Sequence, residues 1–208
     1  MTRPATVITG ASAGIGAELA KIFAAGGHEL VLVARREAAL QALADEIAGA
    51  GGKQPQRPVH VLALDLGQPD AAVRIGEALA ARDLAAQFIV NNAGFGLVGR
   101  AADLPRDEQL AMIDLNIRTL TELSLAFVDS LSRERGGILN VASVAAFLPG
   151  PGMAVYYASK AFVVSLSEAL HYELGQHGVR VTALCPGPVL RIDAGGADGH
   201  EDSFRQNA

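Results

Sequence analysis

The stretch "ITGASAGIG" (8–16) decides the fold. Glycines at 10, 14 and 16 give the spacing G-x-x-x-G-x-G. Each is entropically costly to order, so the crowding needs a reason in the backbone. The apolar run "ATVIT" (5–9) precedes this stretch, and a segment with helical spacing (14–26) follows it. A glycine turn between a strand and a helix lets the backbone approach a phosphate, and the helix N-terminal amides attract its charge. A plain strand-to-helix turn would use the same residues.

The rest of the chain chooses between these readings. Short Val-, Ile- and Leu-rich runs recur at 29–34, 59–64, 87–91, 137–143 and 179–184. Continuous apolar runs suit strands buried on both faces, as in a parallel sheet. Between them lie helix-like segments at 36–50, 68–82, 106–134 and 154–177. This alternation predicts an α/β fold: one doubly wound, mostly parallel sheet of about six strands with helices on both faces. No repeat or low-complexity linker divides the chain, so a single domain is expected over 1–192. The polar, Gly-rich stretch 193–208 is expected to be a flexible tail, with strand 179–184 left exposed or covered by a partner subunit.

Composition narrows the function. The 208 residues are half hydrophobic and carry a net charge of −5 without blocks of like charge. Nucleic-acid and polybasic membrane binding are therefore not expected. A lone cysteine, Cys185, excludes an internal disulfide and suits a reducing, cytoplasmic setting. Neither a signal peptide nor an apolar stretch of ~20 residues is evident. The five histidines lack metal-ligand spacing, so no metal is expected.

Chemistry concentrates later in the chain. In "YYASK", Tyr156 and Lys160 are four apart and share a helix face. Ser143 ends the fifth predicted strand, 13 residues before Tyr156. The C-terminal ends of parallel strands form the binding crevice, where all three can converge. By itself a Tyr/Lys pair at this spacing usually just covers a helix.

Together these stretches resemble the short-chain dehydrogenase/reductase family from about residue 5 to 189, with the chain shorter than the family's usual length at its C-terminal side. "TGASAGIG" (9–16) is similar to the family's cofactor turn, "NNAG" (91–94) to the motif after its fourth strand, and Pro186–Gly187 to the motif after its sixth. Asn116, Ser143, Tyr156 and Lys160 match its catalytic four. The resemblance implies reversible hydride transfer between a nicotinamide cofactor and a small alcohol or carbonyl compound. It implies cofactor contacts from Gly10, Ser12, Gly14, Ile15, Gly16, Asn92, Ala93, Gly94, Tyr156, Lys160, Pro186, Gly187 and Val189. It also implies a homodimer or homotetramer built through 106–134 and 154–177.

The chemistry of each role can be stated. Reducing a ketone builds negative charge on its oxygen, and Tyr156 can supply the proton. A free phenol near pKa ~10 is poorly matched to neutral pH, so the Lys160 cation and the positive nicotinamide of the oxidised cofactor are expected to lower it. Ser143 can hold and polarise the carbonyl oxygen. By resemblance, Asn116 holds a water that reprotonates Tyr156 through Lys160, while a plainer role is that of a helix-kink residue. Tyr157, three residues from Lys160, is the competing tyrosine.

Cofactor choice is legible after the second predicted strand. No acidic residue stands there to accept a ribose 2′-hydroxyl; Arg35 and Arg36 follow instead and suit a 2′-phosphate. NADP(H) is preferred and NAD(H) remains possible, since Ala13 stands where many NADP-preferring relatives carry a basic residue. Asp65 and Leu66 are expected to meet the adenine, with a strand cap as the rival role of Asp65. Leu190–Arg191 stand where the family commonly places a threonine, and the usual substrate-covering helices and seventh strand are not evident. A dinucleotide-binding protein without catalysis is the alternative.

Overall fold

A computed structural model of the chain describes residues 2–50 and 57–187. Six strands form one parallel sheet: β1 (Arg3–Thr9), β2 (Glu29–Ala34), β3 (Val59–Ala63), β4 (Leu84–Asn91), β5 (Gly137–Val141) and β6 (Arg180–Leu184). Their order is β3-β2-β1-β4-β5-β6. The chain crosses from β3 back to β4 beside β1, so the order reverses between β1 and β4, where such sheets bind ligands. All five strand pairings are parallel.

The apolar runs become strands because both of their faces are covered. Val7, Val31, Val33, Ile89 and Ile138 point to one side, against Ile75, Leu123, Leu131 and Leu170. Ile8, Leu30, Leu32 and Val90 point to the other, against Ala20, Leu40 and Ile47. Helices α1 (Gly14–Ala25) and α2 (Glu37–Ala50) cover the second face; α3 (Ala71–Ala80) and the later helices cover the first.

The segment 106–134, expected as one helix, is broken. It comprises α4 (Arg106–Ile113), a π-helical turn (Asp114–Thr119), α5 (Leu120–Ala126) and α6 (Val128–Arg133). Thr121 and Ser124 hydroxyls donate back to the Ile117 and Leu120 carbonyls, a pattern that bends helices, and Phe127 leaves helical geometry at φ −111°. A 3-10 turn (Val144–Phe147) follows β5, and the long helix α7 (Ala154–Gly175) precedes β6. Strand bounds shift slightly: β4 starts at Leu84 rather than 87, and β5 stops at Val141 rather than 143.

At the opposite end of the sheet from these turns, the Glu29 carboxylate is buried. It accepts from Arg3 Nε and Nη2 at 3.2 and 3.1 Å and bonds His60 Nε2 at 2.9 Å. Burial alone would raise its pKa, but the Arg3 and His60 hydrogen bonds and charges outweigh that and hold it low. Among the described residues β6 pairs with β5 alone and forms a sheet edge, and no helix is long and apolar enough to cross a membrane. The expected tail 193–208, and Val189, lie outside the described residues.

Candidate active site

The glycine turn is built by its neighbours. Gly10 and Gly14 have φ of 62° and 56°, a region that side chains disfavour. A Cβ on Gly10 would sit 2.8 Å from Asn92 Nδ2, and one on Gly16 would strike the same amide and the Gly10 carbonyl. Asn92 is close because it staples the turn to β4: its Nδ2 donates to Thr9 O and Gly10 O at 3.0 and 3.1 Å. Thr9 Oγ1 completes the staple, accepting from Asn92 N and Ala93 N and donating to Val90 O. Helix α1, which includes Ile15, starts without a side-chain cap at Ala13, leaving first-turn amides for another acceptor.

Beside this turn opens a cleft of about 430 Å³ at the C-terminal ends of β1 to β4. Gly10, Ser12, Arg35, Asp65, Leu66 and Ala93 line it. Asp65 also closes its own turn, accepting from Gly67 N at 3.0 Å and Gln68 Nε2 at 3.3 Å. The strand-cap role and a place on the cleft wall therefore coincide. Arg36 reaches Ser12 rather than lining the cleft.

Farther along, α7 brings Tyr156 and Lys160 toward Ser143. Ser143 has extended backbone and caps the 3-10 turn, its Oγ accepting from Ala145 N at 3.1 Å. Its hydroxyl lies near enough to the Tyr156 phenol to favour the ionised form. Burial drives the Tyr156 pKa upward, and Ser143 opposes that without reversing it. Lys160 Nζ donates to Val141 O at 2.8 Å and lies 5.8 Å from the Tyr156 ring centre. Burial lowers the Lys160 pKa to about 8, with nearby Cys185 opposing.

Asn116 sits in the π-helical turn with its side chain fully engaged. Its Oδ1 accepts from Phe95 N at 3.1 Å, and its Nδ2 donates to Phe95 O and Ser159 Oγ at 2.9 and 3.1 Å. Gly94 passes between Asn116 and Lys160; a Cβ there would lie 2.8 Å from Asn116 Oδ1 and 3.7 Å from Lys160 Nζ. Pro186 O accepts from Val144 N at 3.1 Å, joining the stretch after β6 to the Ser143 turn, and Gly187 follows it, exposed.

Three further residues shape the site without standing out in the sequence. Gly96 supports the Tyr156 ring, whose Cδ2 would lie 3.0 Å from a Cβ at that position. Gly150 does the same for Tyr157, whose ring occupies the space of a side chain there. Ser159 donates to Tyr156 O at 2.7 Å while accepting from Asn116. Their only signals are the glycines of "GFG" and "PGPG" and the serine of "YASK".

The fold, the glycine turn and these side chains define a dinucleotide-binding oxidoreductase domain. The model of the family described as short chain dehydrogenase matches residues 4–195, and the chain belongs to that family. A sulfoacetaldehyde reductase of Chromohalobacter salexigens is 39% identical over 183 residues, covering 86% of this chain and 70% of the relative. A short-chain dehydrogenase from Sphingobium yanoikuyae, solved in complex with NADPH, superposes with a TM-score of 0.80 at 36% identity, covering 90% of this chain and 72% of that one. The bulky-bulky ketone specific alcohol dehydrogenase from Comamonas testosteroni gives 0.79 at 34% identity, over 90% and 74% of the two chains.

Proposed function

We propose that this chain is an NADP(H)-dependent oxidoreductase acting on a small alcohol/carbonyl pair, with Tyr156 as its general acid and base. The observation that carries the reading is the placing of Tyr156, in the first turn of α7, beside Ser143 just after β5, on the same C-terminal side of the sheet as the glycine-turn cleft. Residues present fit the cofactor: a turn shaped around glycines, uncapped amides at α1, Arg35 on the cleft wall, and Arg36 bonded to Ser12 of that wall, from which it could turn to a 2′-phosphate. The NADPH complex of the Sphingobium relative supports the same choice. NAD(H) is expected to bind more weakly.

Gly10, Ser12 and Arg35 would hold the adenosine half, with Asp65 and Leu66 at the base and Ala93 and Gly94 toward the centre. When bound, the nicotinamide gives or takes a hydride at the substrate carbon. Ser143 donates to the carbonyl oxygen and draws electron density from the carbon. Tyr156, kept protonated by burial, delivers its proton to that oxygen in the reductive direction. Lys160 sits behind the phenol as the cation that can meet the ribose and stabilise tyrosinate as it forms. Because the Asn116 side chain is occupied by Phe95 and Ser159, any water it holds would be held through its backbone. In this reading the enzyme works in the cytoplasm as a homodimer or homotetramer assembled on α4, α5 and α7.

Purified protein mixed with NADPH and a carbonyl panel, followed by absorbance and by thermal shift, tests the reading. Stabilisation by NADPH with turnover supports it. Stabilisation without turnover of any carbonyl selects a binding protein instead.

A further inference from the structure

The two segments that frame Ser143 and Tyr156 carry no charge. From Gly137 to Ser159, and from Ala93 to Gly99, every side chain is uncharged. They are tied into one surface: Gly99 N donates to Gly152 O at 2.7 Å, and Met153 meets Gly96 beside the Tyr156 ring. This frame shows solvent Val98, Phe147 and Leu148, each at least 61% exposed, and Val144 at 43%. Singly exposed apolar residues are ordinary, but these four stand on the same two uncharged segments as Ser143 and the Gly96 contact to the Tyr156 ring. The cations that flank the two segments in sequence are engaged elsewhere. The Lys160 ammonium is buried on Val141 O, and Arg100 faces Asp103 at 3.6 Å.

We infer that the substrate of this site is an uncharged aldehyde or ketone bearing an apolar alkyl or aryl group, held against Val144, Phe147, Leu148 and Met153. The inference rests on the reading of Ser143 and Tyr156 given above. A sulfonate or carboxylate on this frame would lose water to apolar surface and meet no counter-charge among the described residues. This chain therefore differs in substrate from the 39%-identical sulfoacetaldehyde reductase, whose named substrate is anionic. In the reductive direction the substrate's C=O π bond opens. Its carbon accepts a hydride, with two electrons, from NADPH, and its oxygen accepts the Tyr156 proton; the products are the alcohol and NADP⁺.

The test compares methyl ketones of increasing chain length and acetophenone with sulfoacetaldehyde and succinic semialdehyde, using the full chain and NADPH. The expected kcat/KM rises about two- to fourfold per methylene and exceeds that for the anionic aldehydes by about 100-fold. Leu148→Arg, which leaves the reacting groups intact, should narrow that gap at least tenfold. A preference for the anionic aldehydes, or no dependence on chain length, overturns the inference. Should nothing be turned over, saturation-transfer NMR with NADP⁺-saturated protein still decides. Transfer to acetophenone that disappears in Leu148→Arg upholds the inference and places the failure in the catalytic reading. Absence of transfer in the unmodified protein, or transfer unaltered by Leu148→Arg, overturns it.

Discussion

Arg36 reaches back from the start of α2 to the glycine turn, its Nη2 3.2 Å from Ser12 Oγ and 3.4 Å from Ser12 O. The guanidinium is thereby parked at the rim of the cleft that Arg35 lines. A charge-assisted hydrogen bond to a 2′-phosphate contributes about 1.5–3 kcal/mol, so NADPH should bind roughly 10- to 150-fold more tightly than NADH. Arg35→Ala with Arg36→Ala should bring the two dissociation constants together in titration calorimetry. Equal constants in the unmodified protein would make these arginines surface charge only.

Tyr156→Phe keeps the ring on Gly96 and removes the proton. Turnover should fall about 10²- to 10⁴-fold, the usual scale for a lost general acid, with the NADPH dissociation constant nearly unchanged. Tyr157→Phe should be mild, because that ring packs on Gly150. Steady-state kinetics on both variants would expose a reversal of the two roles.

Gly96→Ala tests the support beneath Tyr156. Its new methyl would press on Tyr156 Cδ2 at 3.0 Å and Met153 Cε at 3.3 Å. Small displacements of reacting groups are costly, so kcat should fall about tenfold or more. NADPH affinity should hold. An unchanged kcat would show that the ring has room to yield.

The buried Lys160 makes stability depend on alkaline pH. Its pKa drops from 10.5 to about 8 on folding, so between these values the unfolded chain binds more protons. Stability of the ligand-free protein should therefore rise with pH across that window, by at most about 3 kcal/mol. Urea titrations should show this rise in the unmodified protein and its loss in Lys160→Met. Parallel pH curves would refute it.

Glu29 gives a dependence at the acid end. Arg3 and His60 hold its pKa below the ordinary value despite burial. The stabilisation is present above the unfolded carboxyl pKa and lost as pH falls through the folded one. Glu29→Gln should cost about 1.5–3 kcal/mol near neutrality, the scale of a hydrogen bond to a charged group. Chemical denaturation at pH 7 and at pH 4 should show the difference shrinking in acid.

Much of the architecture can be read from one-dimensional pattern. The strands announce themselves because burial on both faces demands unbroken apolar runs, as in Glu29–Ala34 where all six residues are buried. Ser143 and Tyr156 can be paired in advance because a strand end and a helix face restrict where side chains go. What stays hidden depends on partners distant in sequence. The break in 106–134 follows hydroxyl back-bonds and an Asn116 amide paired with Phe95, 21 residues away. The Glu29 and His60 pairing joins neighbouring strands whose register no periodicity reveals. Spacing alone aims Lys160 at Tyr156, but its donor turns to a carbonyl of β5 because a buried ammonium needs a partner nearby.

The staple between Thr9 and Asn92 also sets an order of events during synthesis. β1 lies inside the sheet, yet Arg3 waits for Leu84 before its second edge is paired. At 5–20 residues per second, that is a delay of about 4–16 s with an open strand edge, a period when a nascent chain invites association. Once Asn92 emerges, the turn at Gly10 acquires the bonds that shape it, while Ser143 and Tyr156 are still to be translated. The growing chain thus completes its glycine turn before Ser143 and Tyr156 exist.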